Sequence, residues 1–224
     1  MYTEHYKAFS QNINFAARIL HYYLHLSAMV QKETENYKAL NETPRFWNDY
    51  NFIALQTVII FLGKIFDSQK KTHNLTKLLD VLPQSLKHFS KANLKLRKIE
   101  FSGGGFNGLE QYIKDAHELT ADDVELIKTE AQKATALWRK FKPLRHRFYA
   151  HNQMLTDDER DALFKSVTYD ELEQLIQILL NISNILHQAE INGRKPDFEY
   201  DYSEPANTAE NEVDKLLGTL INGI

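Results

Sequence analysis

The sequence predicts an all-α protein, a bundle of four to five long helices with extra short helices between them. Three observations predict it. Apolar residues recur at three- and four-residue steps over long stretches, as in Tyr6, Phe9, Ile13, Ala16, Leu20 and Leu24, the spacing that lines one face of a helix. Helix-start signals recur as well: Thr43 before Pro44, Asn74, Thr120 with Asp123, and Thr168 with Glu171. Each offers a capping oxygen, or a proline that needs no N–H partner, to a first turn. No convincing strand and no internal repeat is present.

The elements follow in order. A first helix is expected from about His5 to Gln31. His21 and His25 share one turn of it, a spacing a metal could use, but the pair lacks a third ligand and an adjoining glutamate, so no metal and no cofactor is expected. Thr43-Pro44 opens a helix to about Asp67 that is apolar on almost every side, from Phe46 and Trp47 through Ile60, Phe61 and Leu62. Such a helix is either the centre of the bundle or also faces a partner. Asn74 caps a short helix that Pro83 ends. Residues 84–99 read as one basic helix in which Lys87, Lys91 and Lys95 repeat every four positions. A stripe at that spacing lies on one face and either tracks phosphates or is merely solvated. Ser102 to Gly108, S-G-G-G-F-N-G, is a loop; it lacks the G-K-[S/T] ending of a phosphate loop. Thr120 then opens a long helix whose Ile127, Ala131, Ala134, Trp138 and Phe141 face inward. Pro143 is expected to interrupt or kink it. A short acidic helical segment follows Leu155, and Thr168 with Glu171 opens the last long helix, which ends at Asn192-Gly193. Ala206 to Ile221 is amphipathic enough for a terminal helix.

Composition bounds the function. The chain has 224 residues, 43% hydrophobic and 25% charged, enough for one domain with a real core. The division expected is a helical domain over 1–195, then an acidic linker and terminal helix over 196–224. The absence of cysteine excludes disulfides and thiolate metal sites. The longest apolar run, Phe52 to Leu62, is interrupted by Gln56 and Thr57 and is too short for a bilayer, and M-Y-T-E-H-Y-K-A-F has no signal-peptide form. The expectation is a cytoplasmic protein with no membrane partner. The net charge of −3 hides an asymmetry: seven acids against Lys215 lie beyond Pro196, leaving 26 bases and 23 acids before it. A mildly basic body with an acidic tail is compatible with nucleic acid binding.

Chemistry concentrates in Leu144–Asn152, L-R-H-R-F-Y-A-H-N, which places Arg145, His146, Arg147 and His151 within seven positions. Cleaving RNA without a metal needs a base for the 2′-hydroxyl, a cation on the phosphoryl oxygens and an acid for the leaving oxygen, and His and Arg supply all three. On an ideal helix Arg145 and His151 point about 120° apart, whereas Arg147 and His151 share a face. Geometry alone therefore favours Arg147 as the partner of His151, unless the segment begins non-helically near Arg145. The structural alternative pairs Arg145 and Arg147 with acids such as Asp157 and Asp158, with His151 a satisfied core residue.

Arg145 followed by five residues and His151 resembles the R-x(4–6)-H signature of the HEPN superfamily, helical proteins of prokaryotic conflict systems. R-H-R-F-Y-A-H most resembles the AbiU-type, abortive-infection branch, and Phe46 to Leu82, with Trp47, G-K-I-F-D and N-L-T-K-L-L-D-V-L, resembles that branch's early helices. His146 stands where many relatives have Asn or Asp. The resemblance implies a HEPN-like bundle and a metal-independent endoribonuclease of a defence or toxin–antitoxin system, with Arg145 and His151 catalytic. His146, Arg147, Tyr149 and Asn152 would be RNA-binding or positioning groups, along with Lys87, Lys91 and Lys95. It also implies a homodimer in which two motifs share one cleft, RNA as substrate, and an antitoxin as the expected protein partner. The alternative is a non-catalytic RNA- or nucleotide-binding or protein-interaction module on the same helices.

Overall fold

The computed structural model describes residues 1–30, 35–69, 71–150, 153–199 and 204–222. Their secondary structure is helical, with no strand among the described residues. Four long helices alternate in direction: α1 (Tyr2–Val30), α3 (Pro44–Ile65), α7 (Ala121–Leu144) and α9 (Tyr169–Asn192). Antiparallel neighbours follow from the pairs that meet. Phe15 of α1 packs on Phe61 of α3, Tyr6 of α1 donates to the Ser183 carbonyl of α9, Phe66 stacks on Trp138 of α7, and Lys140 of α7 pairs with Glu171 of α9.

The core is the set of inward stripes the periodicity predicts: Ile13, Ala16, Ala17 and Leu20; Val58, Ile59, Leu62 and Ile65; Ile127, Ala134 and Phe141; Leu175, Leu179, Ile182 and Leu186. Burying the Val, Leu, Ile and Phe side chains of this set contributes roughly 1.5–3 kcal/mol each, and the alanines less. Shorter helices complete the bundle: α2 (Glu35–Asn41), α4 (Leu75–Val81), α5 (Lys91–Ser102), α6 (Leu109–Asp115) and α8 (Asp157–Lys165). The terminal helix α10 (Glu204–Asn222) lies against α1, with Val213 and Leu217 packed on Leu26 and Leu40. Among the described residues no helix is long and apolar enough to cross a membrane.

Local signals hold where they are local. Asn74 accepts from the Lys77 N–H at 2.9 Å. Thr120 with Asp123 and Thr168 with Glu171 form reciprocal capping boxes, and Thr156 with Glu159 forms a third at the start of α8. At Thr43 the hydroxyl makes no capping bond, and Pro44 alone marks the start of α3.

Three expectations are refined or corrected. Helix α3, expected to be the centre of the bundle or also to face a partner, is buried on one side only: Ala54, Val58, Ile59, Leu62 and Ile65 face the core, while Phe46, Phe52 and Ile53 are exposed. Residues 84–99 are not one basic helix. Pro83–Phe89 winds as a 3-10 helix and Ser90, extended at ψ 151°, starts α5 by accepting from the Asn93 N–H. Lys87 is thereby taken off the face that carries Lys91 and Lys95. Pro143 does not break the chain's helical path, although α-helical winding ends one residue after it and the motif begins a differently wound segment. It lies in the last turn of α7, where it withholds one N–H, and the chain continues without a break into a π-helical turn, Arg145–Ala150.

Candidate active site around the π-helical turn

The wider π-helical winding, with bonds to the fifth preceding residue, concentrates at functional sites, and here it covers R-H-R-F-Y-A. The turn runs along α3. Gln56 donates from its side-chain amide to the Tyr149 carbonyl at 3.1 Å, and Arg145 lies one to two helical turns further along, on Gly63. A Cβ at position 63 would fall 2.6 Å from the Arg145 Cδ and closer still to Nε. The arginine stem therefore rests directly on the helix backbone where any side chain would displace it. Its Nε is buried with no hydrogen-bond partner, and no carboxylate among the described residues pairs with its guanidinium.

Arg147 stands differently. Its guanidinium pairs with Glu159 at 2.9 Å. Glu159 also closes the capping box of α8: the Thr156 backbone N–H, then Arg147 and the Thr156 hydroxyl, hold its carboxyl below the usual range. Of the two acids suggested by sequence, Asp157 and Asp158, the first pairs with Arg160 instead. His146 is half-buried on the same turn. His151 and Asn152 lie outside the described residues; the next described residue, Gln153, donates its N–H to the Arg147 carbonyl at 2.9 Å.

Tyr149 is 7% exposed and packs among Phe52, Phe148 and Phe164. Burial, with Tyr23 nearby, pushes its phenol up to about 12, so it stays protonated at neutral pH. It borders a cavity of about 200 Å³ lined by Leu55, Ile59, Leu144 and Tyr169. On the other side of that cavity Tyr169 and Tyr23 share a 2.6 Å hydrogen bond. Tyr149 thus anchors the turn to the bundle.

The lysines sit elsewhere. Lys91 donates to the Lys114 carbonyl at 2.6 Å and Lys95 pairs with Glu110, both on α6. Helix α5 is tied to the far end of α9, where Arg97 binds the Glu190 carbonyl and Lys98 binds Asn192. The π-helical turn adjoins the opposite end of α9, near Tyr169 and Leu172. At 1.5 Å per residue the two ends are about 30 Å apart. The structure does not bring Lys87, Lys91 and Lys95 together with the motif.

Gly63, Gln56 and Glu159 are site-forming residues that sequence reasoning passed over. A signal existed for the first, since an isolated glycine inside an apolar helix costs about 1 kcal/mol relative to alanine and calls for a packing reason. Among the described residues no group of three or more His, Asp or Glu is arranged to hold a metal.

No curated protein and no solved structure matches the chain. A family model described as HEPN_AbiU2, AbiU2, matches residues 2–217, which takes in all four long helices and the π-helical turn. The chain therefore belongs to the HEPN_AbiU2 family and is an abortive-infection-related HEPN module.

Proposed function

We propose that the protein is a metal-independent endoribonuclease acting through Arg145 and His151 in a homodimer. The observation that carries this reading is the contrast between the two arginines of the turn. Arg147 is committed to Glu159, whereas Arg145 is held on Gly63 with no carboxylate partner among the described residues. A guanidinium held in place but left without an anion is preorganised for one, and a scissile phosphate is an anion that its planar donors fit.

In this mechanism an imidazole takes the proton of the ribose 2′-hydroxyl. The 2′-oxygen attacks phosphorus, and Arg145 stabilises the charge that builds on the nonbridging oxygens. The bond from phosphorus to the 5′-oxygen breaks and that oxygen receives a proton. The products are a 2′,3′-cyclic phosphate and a 5′-hydroxyl. His151 serves as base or acid because an imidazole of ordinary pKa near 6.5 holds both forms near neutrality. One imidazole cannot fill both roles at once, and a second copy brings another. Exposed apolar residues at the turn, Phe52 and Phe164, with Ile53 next to Phe52 on α3 and 57% exposed, support a second copy as the occupant of this surface.

The test is incubation of purified protein with RNA in EDTA, with analysis of the product ends. Cyclic phosphate termini that appear in EDTA and disappear in His151→Ala are expected. Binding without cleavage by the unsubstituted protein would assign it instead as a binding module.

A further inference from the structure

A second surface lies along α7, the helix that precedes the turn. Residues Lys128, Gln132, Thr135, Arg139 and Lys142 follow one another at steps of four and three along α7, so they share one face. That face forms one wall of a groove of about 510 Å³, whose opposite wall is Ser68, Leu75, Thr76, Leu79 and Asp80 of α4 and the segment before it. The stacked pair Phe66–Trp138 lies at its base. This pair also relates the groove to the motif. On α3, Gly63 is one turn before Phe66; on α7 and its continuation, Arg145 is two turns beyond Trp138; and Gly63 meets Arg145. The Phe66–Trp138 part of the groove thus lies about one turn of α3 from Gly63, on which the Arg145 stem rests.

We infer that this groove binds single-stranded RNA, specifically the nucleotides flanking the phosphate held at Arg145. Arg139 and Lys142 are exposed and have no ion pair among the described residues, whereas Lys128 is shared with Glu125. They add positive charge to the groove, and Asp80 is the one carboxylate among the lining residues. Leu75, Leu79 and Ala131 of the lining offer apolar area, and Gln132 and Thr76 offer donors and acceptors. Cations beside a mixed apolar and amide lining fit a single strand, whose phosphates meet the cations and whose bases meet the apolar and amide groups. The volume falls within the roughly 300–1,000 Å³ of ligand-binding clefts. The assignment of RNA rests on the ribonuclease reading; the groove and its charge do not.

The test is fluorescence anisotropy of a labelled 2′-O-methyl RNA of about twelve nucleotides, which cannot be cleaved by 2′-hydroxyl attack. Binding is measured over a salt series for the full chain, for R139A/K142A, and for Lys87→Ala as a control on the distant basic segment. Expected is a loss of about ten-fold or more in affinity for the double variant, with the salt slope reduced by about 0.7 for each cation removed, and no change for Lys87→Ala. Unaltered affinity and slope in the double variant would overturn the groove while leaving any cleavage activity unexplained by it. Binding that depends on Arg139 and Lys142 in a protein that cleaves nothing would uphold the groove and refute the nuclease. Displacement by polyglutamate as effective as by unlabelled RNA, or no binding by the unsubstituted chain, would also overturn the proposal.

Discussion

Gly63 fixes where the Arg145 guanidinium can lie, because the arginine stem occupies the volume a Cβ would need. The helical position itself tolerates alanine, which is favoured over glycine by about 1 kcal/mol. Gly63→Ala is therefore expected to leave thermal stability within about 1 kcal/mol and to lower RNA cleavage by tenfold or more through displacement of Arg145. Circular dichroism melting and a cleavage assay on the same preparation check both halves. Retained activity would show that Arg145 works from another position or not at all. The arginine pair also shows what sequence could and could not deliver at this scale. The motif placed the cation and the imidazole in one segment, but the choice between Arg145 and Arg147 needed two distant residues. Glu159 lies on the next helix and Gly63 on an earlier one, and neither belongs to the motif.

Capping boxes show which elements were legible. Thr120 with Asp123 and Thr168 with Glu171 read directly because the interaction closes within one turn. Removing such a cap costs about 1 kcal/mol, so Thr168→Ala should lower the melting temperature by about 2–4 °C. The misread elements depended on longer-range terms. The lysine spacing implied a continuous helix, but Ser90 restarts it, and Lys91 and Lys95 turn to α6, a helix too short to have been foreseen. Pro143 sits so near the end of α7 that it removes little, and packing against α3 carries the chain onward in π-helical form.

The terminal helix α10 carries its own pH dependence. It covers His21, whose pKa burial lowers; the Glu210 carboxylate acts in the opposite direction without cancelling it. Nearby, His25 pairs with Asp214 at 2.9 Å. A lowered imidazole pKa means the unfolded or undocked chain takes up the proton first. Stability is therefore full above about pH 6.5 and is lost as the pH falls through and below it. Hydrogen exchange of α10, corrected for intrinsic rates, should quicken between about pH 7.5 and 5.5, and His21→Gln should flatten that dependence. Exchange independent of pH in the unsubstituted protein would contradict it.

At the scale of the molecule, four antiparallel helices share one core, yet α3 keeps Phe52, which touches the π-helical turn, and the adjacent Ile53 exposed to solvent. Exposed aromatic and branched residues next to the motif fit the second copy that a two-imidazole mechanism requires. Ile53→Asp should leave the fold intact, because the position is already exposed, and should yield a monomer by analytical ultracentrifugation with cleavage lost. An Ile53→Asp protein that remains dimeric and active would remove this face from the account. The composition had indicated a mildly basic body and an acidic tail, but not that the lysines of α5 and the cations lining the groove on α7 lie on separate elements. That division is a property of the packed helices. The most direct measurement of the central claim is the single-turnover rate of RNA cleavage in EDTA for the unsubstituted chain, Arg145→Ala and Arg147→Ala. The account predicts a loss of about 10²–10³ for Arg145→Ala and only a several-fold change for Arg147→Ala; equal losses in the two variants, or no cleavage by the unsubstituted chain, would contradict it.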